Sequence, residues 1–568
     1  MAIRARLAAP PVQPREIWPY HVAKCTILPA HLLWRGDRRM EAGTYLSSGY
    51  GLRLAIEERA VGWQRLGQMA RVTLPNRTKG TLVSSEFGKP WLAATQVFDS
   101  RPVPRKWLAT EKIKDAEALY APVGAILVTR SGNVGRSTIA TDALSGVLAS
   151  DDLLRVTARD ADQWGWLYAF LRSPQARAMM SGAHYGHIIK HLETSHLDAL
   201  PVPVVRPEIA ADFHKRAHAI LELRNRAQRS ATEADQRFES ALGPLKVKDW
   251  GENGFSIKAS ALFGARRRLE AAPHNPGVAE IRRHLAKRGV GFTSVNQLGY
   301  RVWVPSRYKR IPAVDGVVYY DSADLLEVNP DTTKRFADSG FGDEYRGRVA
   351  SNWLLMPCSG QVYGIIGNAV LAGHSLDGQV VSNHVIRIAP EDKPKARAGY
   401  LLVALTHPVL GRPLLKSLAF GSSVPELDPA EIREFQVVRL ESKDEDAIAD
   451  LAEESAAERA RADVLERELA EDAGKYIEKF LAGDMVHFVT TMPAIQDHSL
   501  ADPAALPEHS RVSLLRALPK VGLPKGAEGT IVHVYEEGGY EVEFITGLTR
   551  PVVLTLEADE IEGLKDDA

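Results

Sequence analysis

The sequence predicts an α+β chain: two tandem α/β domains separated by long antiparallel coiled-coil helices, followed by a small all-β, SH3-like barrel. Three observations carry this. The string "RRMEA" at 38–42 returns as "RRLEA" at 267–271 and opens an ordered series of matches. Each half of that series runs into a charged stretch with helical periodicity. The tail alternates apolar and polar residues in short runs.

Residues 1–29 form an N-terminal extension with no apolar core of signal-peptide type. The first domain is placed at 30–204 and the second at 255–438. The offset of 229 between them holds from the opening pair to "VGW" (61–63) against "VGF" (290–292). "TLPNRTK" (73–79) meets "WVPSRYK" (303–309) at 230, and "ILVTRSGNV" (126–134) meets "LLMPCSGQV" (354–362) at 228. "LLRV" (153–156) meets "VIRI" (385–388) at 232. The segments from 186 and 421 align at 235, where Leu192/Leu427, Leu197/Ile432 and Val202/Val437 coincide. Single matches this short are cheap, but an ordered series whose offset drifts only between 228 and 235 indicates duplication.

The first helical spacer, 205–247, carries a heptad seam of Phe213, Ala217, Ile220, Arg224, Ala227, Ala231, Ala234, Phe238 and Ala241, interrupted in character at Arg224. "GPL" at 243–245 stops it. The second spacer, 439–482, is less regular, with Leu451, Ala462, Leu465, Leu469 and Tyr476 on one side. Helices this polar need a partner, and the economical solution packs them antiparallel; docking of each on its own domain is the alternative. A linker at 483–509 precedes the barrel at 510–565, where "GTIVHVY", "GYEVEFI" and "TRPVVLTL" read as strands and "EEGG" as a hairpin turn.

Net charge is zero, but it is distributed unevenly: residues 1–440 hold 59 Lys and Arg against 42 Asp and Glu, whereas 441–568 hold 12 against 29. A basic body suits nucleic acid, and the acidic end suits a protein partner; a solvated acidic helix and domain is the plainer alternative. No apolar run is long enough to span a membrane. Two cysteines, Cys25 and Cys358, exclude a disulfide framework and a Cys-rich zinc site, so a cytoplasmic location is expected. No P-loop, no Asn/Asp-Pro-Pro-aromatic tetrapeptide and no acid, base or nucleophile shared by the copies is present, so no catalytic residue, bound metal or cofactor is expected.

Base edges are read by Arg, Lys, Asn, Gln, His and Ser, over a background of phosphate contacts. The Gly-rich turn "RSGNVGRS" (130–137) offers Arg130, Ser131, Asn133 and Arg136, and the matching turn of the second copy offers Ser359, Gln361 and Tyr363. "HYGHIIKHLETSH" adds His184, His187, Lys190 and His191. Arg77 and Lys79, repeated as Arg307 and Lys309, fit phosphate positioning. For each cation a solvated surface role is the simpler reading, and for each histidine capping or packing.

The order of "RR(L/M)EA", "ILVTRSGNVGR", "YAFLRS", "GHIIKHLETSHLDALPVPVV" and a long helix, then the whole again, resembles the specificity subunit of Type I restriction-modification systems. The resemblance covers residues 30 to about 482 and implies two target recognition domains, each reading half of a bipartite double-stranded DNA site. It also implies spacers that bind two DNA methyltransferase subunits, a restriction subunit in the assembly, and S-adenosylmethionine on the methyltransferase rather than on this chain. The second copy departs from the first, with "QVV" for "PVP" and "PCSG" for "TRSG". The competing expectation is a two-repeat scaffold that binds proteins instead of DNA.

Overall fold

A four-residue apolar run sits at the middle of each half, Ile126–Thr129 in one and Leu354–Pro357 in the other, and both are buried along their whole length. Strands buried on both faces read as continuous apolar runs rather than alternations. Each is the third strand of a four-stranded antiparallel sheet. Ala70–Thr73, Leu153–Ala158, Ile126–Thr129 and Ser137–Ile139 make the first, in that order. Tyr300–Trp303, Val385–Pro390, Leu354–Pro357 and Val370–Leu371 make the second. Ile126 faces Val156 and Leu354 faces Ile388, so the offsets of 228 and 232 are realised in one register. A second sheet in each half contains a parallel pair, Trp91 beside Leu148 and Tyr319 beside Val380, at the same two offsets.

The computed structural model describes residues 42–77, 80–113, 115–183, 191–247, 254–264, 268–328, 330, 334–340, 347–490, 506, 510–534, 539–544, 552–557 and 560–564. It divides into two units, Met1–Met492 and Pro493–Ala568. The N-terminal extension lies outside the described residues.

Each domain closes with a two-stranded ribbon that joins its beginning to its end: Trp63 opposite Pro203, and Phe292 opposite Val438. A short apolar helix follows the central sheet, Trp164–Arg172 in the first domain and Ala398–Thr406 in the second. Trp166 Nε1 donates to the Pro203 carbonyl at 2.8 Å, and the Tyr400 hydroxyl to the Val438 carbonyl at 2.5 Å. Gly165 and Gly399 let these helices lie against the long ones. A Cβ at Gly165 would stand 2.3 Å from His214 Cα, and one at Gly399 2.5 Å from the Ala449 oxygen.

The long helices are Pro207–Leu242 and Ser442–Ala482. Their pairing is antiparallel: Arg216 meets Asp472, Arg224 meets Asp463 and Glu466, Arg226 meets Glu458, and Ser230 meets Glu454. Ends are marked as the chemistry requires, with proline in the first turn of the first helix and left-handed Gly483 after the second. The seam expected from heptads is shifted in places. Ala241 is exposed and Leu242 is buried; Leu451, Leu465 and Tyr476 are only half-buried. The second helix also packs on Trp164–Arg172 and Ala398–Thr406, so more than one face is covered and a single stripe does not describe it.

The expected linker from 483 begins later than its composition suggests. Residues 487–489 turn back onto the first domain, where Arg206 N–H donates to the His487 carbonyl at 3.0 Å and Val489 N–H to the Val204 carbonyl at 2.9 Å. Phe488 is buried against Phe480.

In the second unit, five antiparallel strands lie in the order Val552–Glu557, Gly539–Phe544, Glu528–Val534, Arg511–Leu514, Ile561–Gly563. Val512, Ile531, Val542, Phe544 and Leu556 form its core. No pairing between the two outer strands, which would close an SH3-like barrel, occurs among the described residues.

Candidate nucleic-acid interface

The turn after each central strand is docked by equivalent positions with exchanged chemistry. In the first domain the Ser131 hydroxyl donates to Asp152 Oδ1 at 2.7 Å and lies 2.8 Å from His191 Nδ1. In the second, Ser359 Oγ lies 3.4 Å from His384 Nδ1, and Ser359 pairs with Glu426 through a backbone bridge, as Ser131 does with His191. The offsets of 232 and 235 make His384 the counterpart of Asp152, and Glu426 that of His191, so acid and imidazole have changed places. The backbone fixes both turns alike: Leu192 N–H donates to the Arg130 carbonyl and Leu427 N–H to the Cys358 carbonyl, at 2.9 and 2.7 Å. Beside each central strand stands a buried arginine, Arg155 opposite Leu127 and Arg387 opposite Leu355. Arg155 donates to the carbonyls of Leu153, Leu119 and Ala149, and Arg387 to those of Ser382, Val385 and Val381. Burial pushes both guanidiniums down to about 10.

Most of the candidate residues fall into three groups. Arg77, Arg307, Lys309 and Gln361 are exposed, as is Tyr363 at 69%. Buried Pro75 and Pro305 precede the two arginines at matching positions. Arg130, Ser131 and Asn133 are held within the domain, Arg130 by Glu193 at 2.5 Å and Asp152 at 3.6 Å, and Asn133 Oδ1 by Arg177 at 2.6 Å. Lys79, His184, His187 and Lys190 lie outside the described residues.

Arg136 belongs to none of these, and its assignment to DNA needs correction. It is only 8% exposed, forms a 2.7 Å ion pair with Glu327 of the second domain, and stacks over Phe98 at 4.1 Å. A side chain so committed has no face for a base edge. It stands at a direct junction of the domains that sequence reasoning missed. Val328 N–H donates to the Phe98 carbonyl at 2.6 Å, and Ser100 N–H to the Leu326 carbonyl at 2.7 Å, with Asp99 and Glu327 bridged between them. Asp99 and Glu327 are themselves related by the offset of 228, so the junction joins equivalent residues. Extending the match at 228 back to "QVFDS" (96–100) and "DLLEV" (324–328) would have found the pair.

The centre of the helix pair carries the other buried charges. Arg224 Nη2 donates to Glu466 Oε2 at 2.8 Å, and the Tyr168 hydroxyl donates to its other oxygen. Burial pushes the Glu466 carboxyl well above the usual range, opposed by the charge of Arg136. Arg459, the counterpart of Arg224 at 235, meets no such carboxylates on the first helix, where Gln228 and Ala231 stand instead; it donates to the Leu325 carbonyl in the second domain. Thus the interruption of the heptad seam is an ion pair across the helices.

Among the described residues no group of three His, Cys, Asp or Glu side chains is placed to hold a metal, and no helix is long and apolar enough to cross a membrane. Residues 508–562 match a domain of unknown function, DUF4926. No curated protein matches the chain. Among solved structures it is similar to the S subunit of a Type I restriction-modification system from M. genitalium, at 14% identity over 76% of this chain and 97% of that one, with a TM-score of 0.24. It is similar to the HsdS subunit from Thermoanaerobacter tengcongensis at 13% identity over 74% and 97%, TM-score 0.23. The type IIG restriction endonuclease BpuSI matches over 31% of this chain and 28% of its own, at 14% identity and a TM-score of 0.24.

Proposed function

We propose that this chain reads a bipartite double-stranded DNA target, one half-site per domain, as the non-catalytic recognition subunit of a restriction-modification or related phage-defence complex. The observation that carries the reading is the pseudo-two-fold junction: Asp99 against Glu327, equivalent residues, beside an antiparallel pair of equivalent helices. Duplex DNA presents its two half-sites through a dyad, and a protein with two matching faces meets them with the same groove contacts. Arg77 and Arg307 lie exposed at matching positions, where cations contact phosphate without reading sequence. The exchange of Asp152 and His191 for His384 and Glu426 beneath otherwise equal turns supports two different half-sites on one framework.

In this reading the helix pair is the platform for two DNA methyltransferase subunits, which bring S-adenosylmethionine, and for a restriction subunit. Methylome sequencing of a host with and without the gene tests it. Loss of one bipartite methylated motif on deletion is expected. An unchanged methylome, with partner proteins still co-purifying, would favour the protein scaffold.

A further inference from the structure

A cavity of about 180 Å3 lies between the two domains and the long helices. That is somewhat larger than a cavity of roughly 150 Å3, which encloses a benzene ring. Its lining is of two kinds. Ala231, Leu402 and Ala456 are apolar, whereas Asp99, Arg105 and Arg412 bring charge from opposite domains.

The charges do not balance. Arg105, Arg412 and Lys416 are close enough to repel one another; Asp99 attracts Arg105 and Arg412, but among the described residues none of the three has a carboxylate at ion-pair distance. Arg101, also in the lining, is already taken by Asp235. Burial pushes Arg412 down to about 10 and Lys416 down to about 8, with the neighbouring cations adding to each shift. Burial also pushes the Asp99 carboxyl up to about 7, so near neutrality the one acid of the group carries only part of its charge. Arg412 donates through Nη2 to the Gly364 carbonyl at 2.8 Å, while its Nε is buried without a partner. The half-buried charges of Arg412 and Lys416 and the idle Arg412 donor beside apolar walls are costly, and a bound anion, reached also by the exposed Arg105 at the rim, relieves both.

We propose that this cavity binds a small organic anion: a phosphate or carboxylate on a single-ring or short apolar body, its anionic group held by Arg105 and Arg412. A duplex backbone supplies the phosphate but no apolar body that could enter among Ala231, Leu402 and Ala456. Because residues of both domains and both helices line the cavity, such a ligand stabilises the arrangement in which they stay together. The proposal does not rest on the DNA reading, and its test contains no methylation step.

Isothermal titration calorimetry of the full chain with phenyl phosphate, benzoate and inorganic phosphate at constant ionic strength provides the test. One saturable site is expected for phenyl phosphate or benzoate, at least tenfold tighter than for inorganic phosphate. Arg412→Ala and Arg105→Ala should each weaken it roughly tenfold or more, the scale of one charge-assisted hydrogen bond. Ala231→Leu should abolish binding by filling the cavity while leaving every cation in place. Thermal unfolding of each variant checks that it folds, and Arg105, exposed on its loop, supplies a variant that does not perturb a core. No saturable binding of any probe, equal binding of inorganic phosphate, or binding retained by both arginine variants would overturn the proposal. Displacement of phenyl phosphate by non-specific duplex would overturn it too, assigning these cations to the DNA backbone.

Discussion

Replacing Arg136 by alanine separates the two roles this residue has been given. As a reader of bases it would sit on the DNA; as found, it ties the first domain to Glu327 of the second. The side chains of the pair are 10% and 19% exposed, so most of the interaction is made away from water. Removing one partner of a buried pair costs about 3–5 kcal/mol, and partial exposure of Glu327 lowers that to about 2–4. Loss of the stack on Phe98 adds about 0.5–1 kcal/mol. The remaining carboxylate then repels Asp99, its neighbour across the junction. The domains themselves lose little, because their sheets and closing ribbons are untouched. The junction weakens instead and, in the proposed DNA reading, so does the control of distance between half-sites. A strap worth about 3 kcal/mol suppresses neighbouring spacings by about 100-fold, so its loss should raise their share by up to that factor. The assay is selection from a randomised duplex library by the assembled complex, followed by sequencing of the bound pool. Unchanged half-site sequences with a broadened gap are expected, and Glu327→Gln should act in the same direction with smaller effect. A single retained gap, combined with altered preference at one base, would refute the strap and return Arg136 to the DNA.

Four other outcomes follow from named contacts. Gly165→Ala and Gly399→Ala drive a methyl group into the backbone of a long helix and should each destabilise the chain by about 1–3 kcal/mol or more in thermal unfolding; Gly51→Ala, with nothing within 4 Å, should be neutral or stabilising by up to about 1 kcal/mol. Since Asp99 is raised to about 7, its protonated form stabilises the fold below the unfolded value near 4, and that contribution is lost as pH rises through about 7. Asp99→Asn should therefore flatten the fall in melting temperature between pH 5 and 8, and parallel curves would contradict the assignment. Arg77→Ala and Arg307→Ala should weaken binding about equally on all duplexes and lower the salt slope by roughly one unit in anisotropy titrations. A seven-residue insertion near 225 in the first helix, matched by one near 461 in the second, lengthens the pair by about 10 Å. It should widen the preferred gap by about three base pairs, at 3.4 Å each; the same insertion in one helix alone should unfold the pairing.

The matching sheets of the two halves were legible because they are written in apolar framework, where the same strand order demands similar side chains. Leu192 and Leu427 fill matching places, as do the strands from 126 and 354. The long helices were legible from periodicity, and Gly243 and Gly483 mark their ends. What could not be read were commitments between distant cations and acids. Arg136 and Arg77 look alike in a sequence, yet one is sealed against Glu327 and Phe98 while the other is exposed. Nothing local distinguishes them, since burial is decided by a partner 191 residues away. Arg130 lies between these cases, on the expected turn but engaged by Glu193 and Asp152.

The same distinction alters what the helices can be taken to measure. From sequence alone, four residues added within 213–241 would lengthen a free spacer by about 6 Å and move the half-sites apart by one or two base pairs. The structure couples that helix at three levels. Arg224 is registered to Asp463 and Glu466, Phe238 packs on Tyr400 and His407 of the second domain, and Asp235 holds Arg101 of the first. Four residues turn an α-helix about 40° past a full turn, which removes Arg224 or Phe238 from its place whichever side of the insertion it lies on. Under the proposed DNA reading, a half-site distance set here is thus a property of the helix pair and of the junction at Asp99 and Glu327 together. Neither the length of one helix nor the strap alone fixes it: releasing the junction broadens the gap, whereas moving its preferred value with both domains folded must alter both helices and release that junction.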